Sequence, residues 1–176
     1  TLSAAVVKVD PGGQAVLGVE VRNRGRTVDQ LTVEVLGAAA AWSSVDPSTL
    51  NLLPDMVATA TVSFSPPRSS AVWAGAIPFG IGVRSHERPD ASLVEHGVVE
   101  VAPFVEYETE LAPRILRGGH WVATRLKAAN SGNVPLSLAL DADDPEMGLR
   151  FRLAPAALRI DPGGAGEVAV QVRSRK

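Results

Sequence analysis

The chain has 176 residues, 17 basic and 19 acidic side chains, a formal net charge of −2 and no cysteine. Charges of both signs are interspersed, which excludes the basic footprint of a DNA- or RNA-binding protein, and the lack of cysteine excludes disulfides and thiolate metal sites, so a core must hold by apolar burial. Hydrophobic residues make up 45% but fall in short alternating runs, far from the roughly 20 consecutive apolar residues of a membrane helix.

Thr1 to Val9 reads as a strand and not as a leader, since no basic stretch precedes an apolar one. After Gly12-Gly13, the residues Ala15, Leu17, Val19 and Val21 alternate with Gln14, Glu20 and Arg22, the period of a half-buried strand. Asn23-Arg24-Gly25 supplies a tight turn. Leu31, Val33 and Val35 begin a new alternation, and the two strands are expected to form one antiparallel pair. Met56, Ala58, Ala60, Val62 and Phe64 make another strand, closed by Pro66-Pro67, which cannot continue a ladder. Ile77, Phe79, Ile81 and Val83 follow with Gly80 and Gly82 on their other face, and Val99 and Val101 end the series.

A second series opens near Val105. Tyr107, Thr109 and Leu111 alternate with Glu106, Glu108 and Glu110; Val122, Thr124, Leu126 and Ala128 lead to a turn at Asn130 to Gly132; Leu136, Leu138 and Leu140 follow; and Val168, Val170 and Val172 come last. The two series are copies. Asn23 to Gly25 answers Asn130 to Gly132, and Gly12 answers Gly119, at an offset of 107, while Pro47 to Pro54 answers Pro155 to Pro162, and Ala60, Val62 and Phe64 answer Val168, Val170 and Val172, at 108. Short strands, regular turns and no helical period predict an all-β chain of two tandem immunoglobulin-like β-sandwich domains, residues 1–104 and 105–176, with a β-barrel as the alternative. Nothing after Lys176 answers Pro66 to Phe104, so the second domain reads as lacking its last strands. Such a sandwich exposes an edge and part of its core, which predicts that the natural protein runs on or that another chain completes the sheet.

No residue set forms a catalytic signature, and no cofactor is expected. His86, His96 and His120 lie in or beside loops, and only convergence of His86 and His96 with Glu87, Asp90 or Glu95 could make a metal site. Asp141, Asp143, Asp144 and Glu146 concentrate oxygen ligands in one loop; their spacing matches no EF-hand, and a solvated acidic loop is the commoner outcome. Trp73 and Trp121 are the candidate ligand-binding residues, as parts of a flat stacking surface for a polysaccharide, although aromatics total only 5%.

The succession Gly12-Gly13, Asn23 to Gly25, Trp42, Pro47 to Pro54 and Thr59 to Phe64 resembles the bacterial immunoglobulin-like family that accompanies α-galactosidase and other sugar-hydrolase domains. The resemblance covers nearly all of the first copy and most of the second, which has no Trp answering Trp42. The chain also looks like the N-terminal half of uncharacterised, sometimes "hydrolytic", proteins of high-GC bacteria that continue into a membrane anchor. These resemblances imply a non-catalytic interaction or spacer module of a larger bacterial protein, an accessory of an envelope-associated machine, with a carbohydrate-binding accessory module as the alternative. The partners they imply are a protein or the protein's own neighbouring domains, with polysaccharide as the other candidate and membrane contact only through segments outside this chain. The location implied is the cytoplasmic face of a membrane, with the cell surface as the alternative.

Overall fold

A computed structural model describes residues 1–90, 92–118 and 120–175. Gly119, which the repeat sets against Gly12, lies outside the described residues, as do Ala91 and Lys176. The chain is all-β and divides into two compact units, one of Thr1–Arg68 and Ala74–Pro103, the other of Ser69–Trp73 and Phe104–Lys176.

The first unit contains β1 (Val6–Val9), β2 (Ala15–Arg22), β3 (Asp29–Leu36), β4 (Ser43–Asp46), β5 (Thr49–Leu52), β6 (Val57–Phe64), β7 (Gly75–Ser85) and β8 (Ser92–Val101). They form a five-stranded sheet in the order β1-β8-β7-β3-β5 and a three-stranded sheet in the order β2-β6-β4. The alternating side chains read from the sequence face inward from both: Leu17, Val19, Ala60, Val62 and Phe64 from one sheet, Val33, Phe79, Ile81 and Val99 from the other, each at most 2% exposed. Two findings depart from the sequence reading. β2 and β3 do not pair: β2 lies against β6 and β3 against β5 and β7, because the Asn23 turn carries the chain from one sheet to the other. Of the Thr1 to Val9 stretch, only Val6–Val9 forms a strand, parallel to β8, while Leu2 makes a single bridge to Val19. A short 3-10 turn, Ala38–Trp42, sets the Trp42 ring edge-on to Phe64 with centroids 6.0 Å apart.

The second unit contains β9 (Tyr107–Ala112), β10 (Val122–Asn130), β11 (Leu136–Ala139), β12 (Leu149–Ala154), β13 (Ala157–Ile160) and β14 (Ala165–Ser174). Its sheets are β12-β14-β10-β9 and the two-stranded β11-β13. Registers correspond between the units. Ala15↔Phe64 through Arg22↔Val57 in β2–β6 reappears as Val122↔Val172 through Ala129↔Ala165 in β10–β14, and Asp29↔Leu52 and Leu31↔Leu50 reappear as Leu136↔Ile160 and Leu138↔Leu158. The turn is also reproduced. The Asn23 amide donates to the carbonyls of Thr27 and Leu52, both at 2.9 Å, and its oxygen accepts from the Gly25 amide; Asn130 does the same with Val134, Ile160 and Gly132. Both asparagines are buried and tie one sheet to the other, since they end a strand of one sheet and bond to a strand of its partner.

Candidate functional site

In the first unit β3 has neighbours on both sides, β5 and β7. Its counterpart β11 pairs with β13 alone among the described residues. Among the described residues, the four-stranded sheet of the second unit is therefore covered on its inner face by two short strands, and part of that face is open. A groove of about 550 Å³ results, floored by Leu126, Phe151, Leu153, Val170 and Val172, and flanked by Leu111 on one side and Leu140 on the other. Packing differs accordingly at matching positions. Val19 is 2% exposed and Phe64 0%, whereas their counterparts Leu126 and Val172 are only half-buried. Where the first unit has Leu17, the second has Thr124, whose hydroxyl donates to the Pro113 carbonyl at 2.7 Å and so fastens the segment after β9 to the groove. Leu111, Leu149 and Tyr107 are 37%, 38% and 50% exposed. Arg114, His120 and Arg173 supply cationic or basic groups to the lining, with Asp141 its carboxylate.

The first unit has a second opening, of about 510 Å³, lined by Val19, Leu31 and Ile81 together with Asp29, Arg24 and Arg88. Asp29 is buried at 7% exposure. Burial works against its charge, but the Ser85 hydroxyl at 2.6 Å, the amides of Glu87 and His86, and the nearby Arg88 outweigh it, holding the carboxyl below its ordinary value. The groups around it satisfy Asp29, so this opening presents a closed polar latch and not a waiting reagent.

The residues singled out from the sequence fall elsewhere. Trp73 is 52% exposed. Trp121 is half-buried, and the guanidinium of Arg152 sits 4.2 Å from its ring centre, occupying a face that a sugar would need. Asp144 accepts from the amides of Glu146, Gly148 and Leu149, and Asp141 from Ala142, so these two carboxylates shape their own loop; Asp143 and Glu146 stand beside them in it. Among the described residues no three His, Asp or Glu side chains gather as a metal site. His96 stands opposite Gly80 on the β7–β8 ladder while His86 lies six residues past Gly80, just beyond the end of β7, a separation of about 20 Å at the rise of a strand. His86 instead meets the Thr32 hydroxyl at 3.4 Å.

Sequence reading did not single out Leu126, Phe151 or Leu153 as a surface, because an inward alternating residue reads as core whether or not anything covers it. Asp29 was also passed over, although it stands in phase with Leu31 and Val33 on the buried side of its strand, a signal for a carboxylate with buried partners.

No protein-family model matches the chain, and no curated protein matches it. Among solved structures it is similar to a protein of unknown function from Porphyromonas gingivalis, at 19% identity over 98% of this chain and 82% of that one with a TM-score of 0.40. It is similar also to the periplasmic chaperone SfaE, at 13% identity over 96% and 85% with a TM-score of 0.39, and to a Salmonella enterica structure of the SafA pilin with the SafB chaperone, at 12% over 96% and 82% with a TM-score of 0.38. At these scores no residue's role is carried across. The comparisons overturn the resemblance to the immunoglobulin-like family of sugar hydrolases: periplasmic chaperones recur among the similar structures, and no hydrolase-associated domain does.

Proposed function

We propose that the chain is a non-catalytic protein-interaction module whose second unit binds a β-forming segment of a partner protein. One observation carries this reading: an apolar sheet face left half covered beside a strand, β11, whose second edge has no ladder among the described residues. An unpaired edge next to exposed apolar side chains is the physical template for strand addition, in which main-chain hydrogen bonds supply affinity and pockets for alternate side chains supply specificity. The equality of registers supports the accompanying proposal that the two units are copies of one immunoglobulin-like sandwich, divided near residue 104.

We propose an envelope-associated assembly as the setting, on its exported side; the cysteine-free sequence gives an oxidising compartment nothing to act on, and no described helix is long and apolar enough to cross a membrane. The assignment to a cytoplasmic membrane face is not retained. Trp121 gives a sugar-binding reading no support, since its ring is already stacked by Arg152.

The test is selection of displayed segments of 10 to 30 residues against the purified chain. Binders should alternate apolar residues, lose affinity for a Leu126→Glu variant, and keep it for Leu93→Glu in the first unit. Binders indifferent to Leu126→Glu, or none at all, would overturn the proposal.

A further inference from the structure

We infer that the four-stranded sheet of the second unit joins a second copy of this chain edge to edge, β12 of one copy against β9 of the next. The surface is the pair of free sheet edges, and it is independent of the groove on the inner face.

Both edges are built for a ladder. The sheet runs β12-β14-β10-β9, and among the described residues neither outer strand has a further neighbour. The first unit ends its sheet at the same place: β4 lies against β6 as β12 lies against β14, and β7 and β8, which follow β6 in the chain, join the other sheet. The three ladders of the second unit's sheet are antiparallel. Directions therefore alternate over an even number of strands, and a copy displaced across the sheet sets its β9 antiparallel to β12 with inner and outer faces unmixed. The hydrogen-bond phase agrees. The Ser131 amide donates to the Glu106 carbonyl and the Arg175 amide to the Gly148 carbonyl, so the even-numbered residues of β9 and β12 turn their backbone groups into the sheet. Successive residues of a strand point to opposite sides, so Tyr107, Thr109 and Leu111 offer theirs to one free edge, and Leu149, Phe151 and Leu153 to the other. The Leu149 amide is already taken by the Asp144 carboxylate at 2.9 Å, which leaves its carbonyl, Phe151 and Leu153 for the new ladder.

Side chains choose the register. With Phe151 opposite Thr109, Leu149 meets Leu111 and Leu153 meets Tyr107 on the inner face, while Arg150 meets Glu110 and Arg152 meets Glu108 on the outer one. A slip of two residues either way leaves only one arginine opposite a glutamate of β9. All six residues of β9 are exposed; within its sheet Glu110 faces Lys127, whereas Glu108 faces Ala129 and has no cation opposite. On β12, Arg150 stands opposite Arg173 of β14, a like-charge pair that costs stability and that a carboxylate brought alongside relieves. The fold itself does not require these charges, since at the offset of 108 the counterparts of Arg150 and Arg152 are Trp42 and Ser44. Arg152 rests on the Trp121 ring, and its move to Glu108 would uncover that ring. The contact joins two different patches, so it repeats from copy to copy and does not close at a dimer.

The test is sedimentation velocity on the whole chain from about 10 μM to about 1 mM, the range of a weak edge contact. Dimers, trimers and longer species should grow with concentration, recede with added salt, and change Trp121 emission. Arg150→Glu with Arg152→Glu, or Glu108→Arg with Glu110→Arg, should weaken association at least about tenfold, and all four changes together should restore it to within about threefold of wild type. The chain has no cysteine, so a mixture of Glu108→Cys and Arg152→Cys chains reports the register. Those places form a non-hydrogen-bonded pair close enough for a disulfide, and oxidation should link one variant to the other and neither to itself. A chain monomeric throughout, disulfides joining like to like, or association that survives the charge reversals would overturn the edge contact. Association indifferent to charge but abolished by Leu126→Glu would place the contact in the groove and overturn it too. A monomeric chain whose β12 edge is protected from hydrogen exchange by an acidic displayed segment would make the occupant a different protein and refute a second copy.

Discussion

Two buried asparagines act as the pins of the fold. Each of Asn23 and Asn130 satisfies three backbone groups at 3% and 2% exposure, joining a strand end in one sheet to a carbonyl in the other. Alanine at either place would strand those carbonyls and an amide, at a cost of about 2 to 4 kcal/mol for several unmet buried partners. Urea denaturation of N23A and N130A should show such losses, and a change below about 0.5 kcal/mol would refute the pinning role. Asp29 makes a pH-dependent contribution. Its carboxyl is held below the ordinary value of 3.8, so folding favours the charged form; the stabilisation is complete above that value and is lost as pH falls through the lower, folded one. Asp29→Asn should therefore flatten the fall in stability below about pH 4 relative to wild type, as followed by acid titration of the unfolding midpoint. An unchanged acid limb would show that other carboxylates carry it.

At the scale of the strand, the hairpin β7–β8 holds its shape through an aromatic ring laid over a glycine. A methyl group at Gly97 would come within 2.5 Å of the Phe79 ring edge, and Phe79 itself packs at a tilt against Phe64 with ring centroids 4.9 Å apart, so the ring has little room in which to yield. Gly97→Ala should cost about 1 to 3 kcal/mol by overpacking, measurable by thermal unfolding. The open sheet of the second unit predicts a contrast between matched strands. Phe64→Ala removes a side chain with 0% exposure and should cost about 3 to 5 kcal/mol; Val172→Ala, at the matching and half-buried place, should cost about 1 kcal/mol, because a site partly open to water forfeits less. Comparable losses at the two positions would mean that the groove is closed in solution.

For the molecule as a whole, unequal cores imply unequal stability. The first unit closes its two sheets on each other, whereas the second spends apolar side chains on an uncovered face. Denaturation should show two transitions, the weaker belonging to the second unit, reported by Trp121 fluorescence, and the stronger to the first, reported by Trp42. A displayed segment bound in the groove should raise the weaker midpoint and leave the stronger one unchanged, since a ligand stabilises only what it binds. A single transition shifted as a whole by the ligand would show that the units unfold together.

The alternation of apolar and polar residues and the proline and glycine turns settled from sequence alone that the chain is all-β and that Leu17, Val19, Ala60, Val62 and Phe64 face inward, because a period of two admits only two faces, whereas Tyr107 and Leu111 alternate alike on a strand that is exposed throughout. The offset of 107 to 108 residues likewise set Ala15 to Arg22 against Val122 to Ala129, and the ladders of those two strands share one register. Which strands pair was decided only in three dimensions. The Ala15 and Leu31 runs look like neighbours across a tight turn, yet the buried amide of Asn23 sends them to opposite sheets, a choice made by hydrogen bonds to residues 29 positions away. The groove was decided at the same level. Leu126 and Val19 carry the same pattern in sequence, and only the strands that lie over each among the described residues leave one buried and the other half-buried.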